Sequence, residues 1–402
     1  MRMIRAVAIM LALTVTITLV GCVSYVDLSD RAIVQAIGID YLPDKKVYRI
    51  SMQYFNQSSE GGQNQIDKTQ DNVLKSVGEG ESIFAAAKNA SMLTGKDLLL
   101  SENRLIIIGK ELRKYKLCDT LEFFVGNYHS HPQAYVAAAE DTAEELLDIR
   151  FKEGSTSSQR LANLIHNASV ESRNKSTYPY QVMTMLCTST ESAFLPLLTT
   201  ATLKTDVTIP KETGGGKGNG GGEEQSEDGE KTIILDGGVV FKGGKELCRV
   251  DDDGAMAIFF MNDMPSEYSF TVPLGQNAKP SVMLIGVTRS IKAIEYNGKV
   301  KFDVSFSASG KIGSKGGMKE DEKKAAEKVA EPAERELKRK IESSMIPIAE
   351  KGCDVFGLEN TLRRCCNRFY RENMDRVGEI IAESEIEVNV NIDIFSQGIG
   401  GA

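Results

Sequence analysis

Two adjoining stretches early in the chain alternate with a period of two. In RAIVQAIGID, Ile33, Gln35, Ile37 and Ile39 oppose Ala32, Val34, Ala36 and Gly38, so both faces are mainly apolar, as in a strand covered on both sides. VYRISMQYF sets Tyr48, Ile50, Met52 and Tyr54 against Arg49, Ser51 and Gln53. With Pro43 and Asp44 in turn positions between them, the two predict an antiparallel hairpin with one solvated side. QSSEGGQNQ, 57–65, is a polar loop. The spacing then turns helical over ESIFAAAKNASMLTG, 81–95, which stops at Gly95, a usual helix-ending residue.

Short apolar runs in NRLIIIG and QAYVAAA predict buried strands. Helical runs, LCDTLEFFVGN and DTAEELLDIRF, alternate with them, the second opening on Thr142 and Glu145 at capping-box spacing. Residues 157–198 predict helix interrupted at Pro179, and ATLKTDVTI a strand. Gly243-Gly244 and Asn297-Gly298 each sit between strand-like runs and predict tight hairpins. The three aspartates of DDDGAMAIFFMND suit the positive end of a helix. EPAERELKRKIESSMIPIAEKG carries Leu337, Ile341, Met345 and Ile348 on one stripe, with Pro332 in a first turn, Pro347 bending the last and Gly352 beyond the end. TLRRCCNRFYREN is amphipathic, and SEIEVNVNIDIFS closes the chain as a strand.

Together these predict a multi-domain α+β protein with mixed and antiparallel sheets and helices packed on them. The expected boundaries are 1–21, a lipoprotein signal peptide; 22–208, an N-terminal α+β domain; 209–231, a Gly-rich acidic flexible loop; 232–278, a small middle domain; and 279–402, an α+β domain of antiparallel sheet and long helix. The loop follows from composition: residues 211–230 hold eight glycines and almost nothing apolar to offset their ordering entropy.

The first residues decide the compartment. Arg2 and Arg5 precede AVAIMLALTVTITLV, an uncharged run, and then LVGC ending at Cys22. This is the layout of an exported lipoprotein, with small residues at Val20 and Gly21 for the protease and a thiol at Cys22 to take a diacylglyceryl group. On length alone, the 21 uncharged residues from Ala6 to Val26 also suit an uncleaved span. Loss of Arg2 and Arg5 takes the formal charge from −8 to −10, which disfavours nucleic acid and electrostatic attraction to anionic lipid.

With Cys22 set aside, six cysteines remain: Cys118, Cys187, Cys248, Cys353, Cys365 and Cys366. They are too sparse for a disulfide scaffold and read mainly as buried thiols, with Cys353 to Cys365 or Cys366 the pairing to test. His129 and His131 lie two apart, but His166 is the chain's one other histidine, too few for a metal site. GGGKGNGGG lacks the Gly-Lys-Ser/Thr of a phosphate loop, and DDDG lacks calcium-loop spacing. No motif pairs a nucleophile with a base, so the sequence points to no enzyme, no catalytic residues, no metal and no cofactor.

Several segments in order resemble one family: LSDRAIVQAIGIDY after the lipobox, VYRISMQYF, LTGKDLLLSENRLIIIGKEL, GGVVFKGGKELCRV, DVFGL at 354–358 and IEVNVNIDIFSQGIG. The set resembles the Ger(x)C family, the C subunits of bacterial spore germinant receptors. The chain departs from it in having no tryptophan and in carrying Val23 after Cys22. The resemblance implies a non-catalytic lipoprotein of spore germination, anchored to the membrane through Cys22 at the outer face of the spore inner membrane. Its partners would be two integral-membrane subunits, a large A subunit and a permease-like B subunit. The alternative is a solute-binding lipoprotein of an ABC-type transporter.

Overall fold

The computed structural model describes residues 30–55, 73–115, 117–126, 130–151, 156–203, 230–275 and 278–395, with four isolated positions before them. Cys22, the signal segment apart from Met3, Arg5, Ala6 and Met10, the 57–65 loop and residues 204–229, with most of the Gly-rich insertion, lie outside the described residues.

The chain builds β1 (Arg31–Leu42), β2 (Val47–Phe55), β3 (Val73–Gly80), α1 (Ile83–Thr94), β4 (Asp97–Leu99), β5 (Leu105–Ile108), α2 (Leu117–Gly126) and β6 (Tyr135–Ala139). Then come α3 (Ala143–Asp148), α4 (Ser157–Val170), α5 (Pro179–Leu186), β7 (Ser192–Leu203), β8 (Glu230–Lys242) and β9 (Lys245–Val250). The rest is α6 (Asp252–Asn262), β10 (Glu267–Thr271), β11 (Ser281–Tyr296), β12 (Lys299–Ser314), α7 (Glu322–Ala349), α8 (Leu358–Cys365), α9 (Asn367–Glu372), α10 (Val377–Ala382) and β13 (Glu385–Ile394). A nine-stranded sheet runs β3-β2-β1-β5-β6-β7-β8-β9, with β4 beside β1, and a four-stranded sheet runs β10-β11-β12-β13. Both are mixed: β5 lies parallel to β1 and β6 to β5, and β13 lies parallel to β12. This is the multi-domain α+β class expected from the pattern.

Four expectations need correction. The polar face of β2 is not solvated: Ser51 and Gln53 are buried, and the Gln53 amide donates to the Leu147 carbonyl at 2.6 Å beneath α3. Residues 192–200, read as helix through 198, belong to β7, because SAFLPLL is buried on both sides in mid-sheet and Pro196 is accommodated at a bulge before Leu198. The long helix starts ten residues earlier than its Pro332 suggested, capped by Asp321, so Pro332 lies in its interior. Residues 232–278 are shared out: β8 and β9 finish the first sheet, β10 joins the second, and α6 lies between. α6 is buried from Gly254 through Met261, because one side meets Phe194 and Val240 of the first sheet and the other meets α7 and the second sheet. A helix apolar all round has to be covered all round.

The hairpin readings hold. Asn297 and Gly298 have φ of 53° and 79°, and Gly243 and Gly244 have 59° and 74°, so both two-residue turns are left-handed at both positions. All six described cysteines are free: Cys353 is buried against the Phe241 carbonyl, while Cys366 donates to the Ala293 carbonyl.

Close approach fixes α1. A Cβ on Gly78 would lie 2.2 Å from the Ala86 carbonyl oxygen and 2.4 Å from the Ala90 nitrogen. Gly78→Ala should therefore lower stability by about 2–3 kcal/mol through overpacking, read as a shifted urea midpoint with an unchanged slope.

Candidate functional site

After α7 the chain turns at Gly352, φ 65°, into the segment CDVFGLE, 353–359, which runs against the start of β7. Gly357, φ 80°, turns it again into α8. Two carboxylates fix this path. Asp354 accepts N–H groups of Phe356 at 3.0 Å, Leu358 at 2.9 Å and Glu359 at 2.7 Å, satisfying donors that a helix start leaves unpaired. Its own N–H donates to Ser192 Oγ at 3.0 Å, the first residue of β7.

Glu359 reaches across from α8 into the first sheet's approach loop. Its Oε1 accepts from the Ser189 N–H at 3.0 Å and the Tyr370 hydroxyl at 3.1 Å. Its Oε2 accepts from the Thr190 N–H and hydroxyl, both at 3.1 Å. The residue is only 6% exposed, yet four donors converge on its carboxylate. Burial alone pushes this carboxyl up, but the donors from Ser189, Thr190 and Tyr370 outweigh it and hold it below its ordinary value. Asp354 goes the other way: burial dominates its three backbone donors and raises it.

Other struts cross the same joint. Lys175, itself buried, pairs with Asp263 at 2.7 Å, and Asn262 Nδ2 donates to the Val355 carbonyl at 2.7 Å. Lys242 Nζ donates to the Lys351 carbonyl at 2.6 Å, and Lys340 pairs with Asp253 at the start of α6. Beside them opens a groove of about 610 Å³ lined by Met185, Cys187, Asn262, Arg363 and Met374 among others.

This arrangement can hold two sheets in register; it offers no group poised for chemistry. The lone pairs of Glu359 and Asp354 face internal donors, and burial pushes the Cys353 thiol up to about 11, away from a reactive thiolate. Asp251 caps α6 by accepting the Gly254 N–H at 2.9 Å, the capping role expected of DDDG. His131 accepts from the Gln133 N–H, and His166 shares a hydrogen with the Tyr135 hydroxyl at 3.1 Å; His129 lies outside the described residues. Among the described residues no three His, Cys, Asp or Glu side chains gather as a metal cage, and no helix is long and apolar enough to cross a membrane. The sequence pattern marked DVFGL but passed over Glu359, Thr190 and Ser192, since a lone glutamate in a first helical turn reads as a dipole partner, not as a tie to a loop 170 residues away.

Residues 24–200 match the family model described as Spore germination protein N-terminal domain, and residues 236–398 match Spore germination B3/GerAC like, C-terminal. The first match ends inside β7, so strands of the second complete the first sheet. No curated protein matches the chain. A solved structure described as the crystal structure of the GerBC protein is similar in fold, with 13% identity and a TM-score of 0.51, covering 90% of this chain and 97% of that one.

Proposed function

This chain belongs to the Ger(x)C family of spore germination proteins, the C subunits of germinant receptors, and from there we propose that it works as a lipid-anchored subunit acting through protein contacts. The family is not a known enzyme family. Export and a thioether on Cys22 would hold the acidic ectodomain at the outer face of the spore inner membrane, where the integral-membrane A and B subunits are its partners. The observation that carries the reading is the joint around Glu359. The polar groups there are consumed in tying two unlike sheets into one body, which suits a part that presents surfaces rather than one that turns over a substrate. Sheets of nine and four strands also give no support to the solute-binding alternative, whose lobes are alike.

Mass spectrometry of the native N-terminus should find a diacylglyceryl-modified Cys22 with residues 1–21 removed, and detergent extracts should yield the chain together with membrane subunits. An unmodified thiol, or recovery of the chain free of membrane partners, would refute the corresponding half of the proposal.

A further inference from the structure

α1 is packed with its small side inward. Ile83, Ala86, Ala87 and Ala90 are buried, and the backbone of β3 at Gly78 and Gly80 comes too close for anything much larger. The large apolar side chains point the other way: Phe84, Met92 and Leu93 are 68%, 70% and 74% exposed. Phe84, Lys88 and Met92 are spaced four apart and so share one stripe, with Leu93 beside it. Lys88, also exposed, stands mid-stripe with an apolar stem and a charged tip.

The place of this stripe points to its occupant. α1 leads directly into β4, which pairs in parallel with the first residues of β1, Arg31 opposite Asp97 and Ala32 opposite Leu98. Cys22 is nine residues upstream of Arg31, a tether of at most about 30 Å when fully extended. Met92 and Leu93 precede Asp97 by five and four residues, which puts them within about 18 Å of that strand end along the chain. A lipid on Cys22 therefore keeps the stripe within reach of the bilayer, at an effective concentration high enough for a small patch to stay engaged. Phe84 meets Phe123 edge-on and lines an open hollow with Glu81, Asp119 and Glu122, whereas Met92 and Leu93 are exposed at the other end of the helix beside Lys88, the pairing of apolar and basic side chains found on interfacial helices.

We infer that the outer face of α1 rests on the lipid bilayer beside the anchor, with Met92 and Leu93 at the boundary of headgroups and acyl chains and Lys88 at the phosphates. The inference depends on the anchored reading proposed above. It would fix the orientation in which the remaining surfaces meet membrane partners.

The chain contains no tryptophan, so one introduced indole reports alone. Met92→Trp is made in the full-length lipidated chain, reconstituted into phosphatidylcholine–phosphatidylglycerol vesicles with brominated acyl chains. Flotation of the vesicles reports the anchor separately from the indole. The expected result is co-flotation with an emission about threefold lower than in unbrominated vesicles, as for an indole in the interface. Tyr296→Trp, at the exposed turn between β11 and β12, should keep its emission. Co-flotation of the Met92→Trp chain with undiminished emission overturns the docking and leaves the anchor standing. Failure to float removes the anchor and this inference with it. Equal quenching at both positions overturns it as well, and so does quenching in the Met92→Trp chain that disappears when integral-membrane subunits are added.

Discussion

Glu359→Ala should cost about 2–4 kcal/mol and be the most damaging single change at the joint, because it strands the buried donors of Thr190 and Tyr370 at once. The N–H groups of Ser189 and Thr190 and the hydroxyls of Thr190 and Tyr370 lose their shared acceptor; Thr190 and Tyr370 are buried, while Ser189 is exposed at the groove and can turn to water. Glu359→Gln keeps one acceptor oxygen but turns an amide NH₂ toward N–H donors, so about 2 kcal/mol is expected. Urea unfolding measures both, and a loss below about 1 kcal/mol for the alanine variant would mean the carboxylate is not holding the joint. The pair of proteins should also differ in their response to pH. The folded-state value of Glu359 lies below its ordinary 4.5, so its contribution is complete above that value and is lost as pH falls through the lower folded value. The gap between wild type and Glu359→Gln should therefore be flat near neutrality and narrow in acid. Asp354 acts in the opposite sense: its raised folded value makes stability fall as pH rises from 3.8 through that value. The Glu359 charge is one of the causes that raise Asp354, so Glu359→Gln weakens that rise and the Asp354 contribution is smaller in the variant.

Gly237→Ala should rival it. Gly237 sits in β8 with φ 56°, and a Cβ there would fall 2.0 Å from the Val250 carbonyl oxygen. Its N–H donates to Asp252 Oδ1 at 3.0 Å and its carbonyl accepts from Asn174 Nδ2 at 2.7 Å, so the strand cannot retreat without breaking both. Left-handed strain of about 1–2 kcal/mol and overpacking of about 1–3 kcal/mol give an expected loss of about 2–5 kcal/mol. Gly286→Ala separates the two terms. Gly286 has φ 62° but nothing within 4 Å of a built Cβ, so it should show the strain alone. Equal midpoints for the two variants would show that the close approach at Gly237 costs nothing.

The legible parts of the fold were those where neighbours in sequence settle the conformation. Asn297-Gly298 and Gly243-Gly244 both form left-handed two-residue turns, as their glycines and asparagine require. The caps at Thr142 and Asp251 accept the N–H three residues on, which is a local geometry. The misread stretches were those where distant residues decide. SAFLPLLTT has helical neighbours and an interior proline, and it becomes a strand because β8 supplies a partner with Gly238 opposite Pro196. Ser51 and Gln53 look solvent-facing, and they are buried because α3 covers them. The tie at Glu359 was illegible for the same reason, since the backbone donors it accepts from lie 169 and 170 residues earlier.

What the sequence determined by itself was the inventory of most elements, the turns between them, an acidic composition, and a family order of segments. Those depend on spacing and composition, which a linear chain carries in full. The tertiary structure alone decided that β8 and β9 complete the first sheet, that α6 is a shared core helix between two sheets, and that α1 turns its large apolar side chains outward. Each of these is set by which surface covers another, and burial of that kind is a property of pairs of elements far apart in sequence rather than of either element alone.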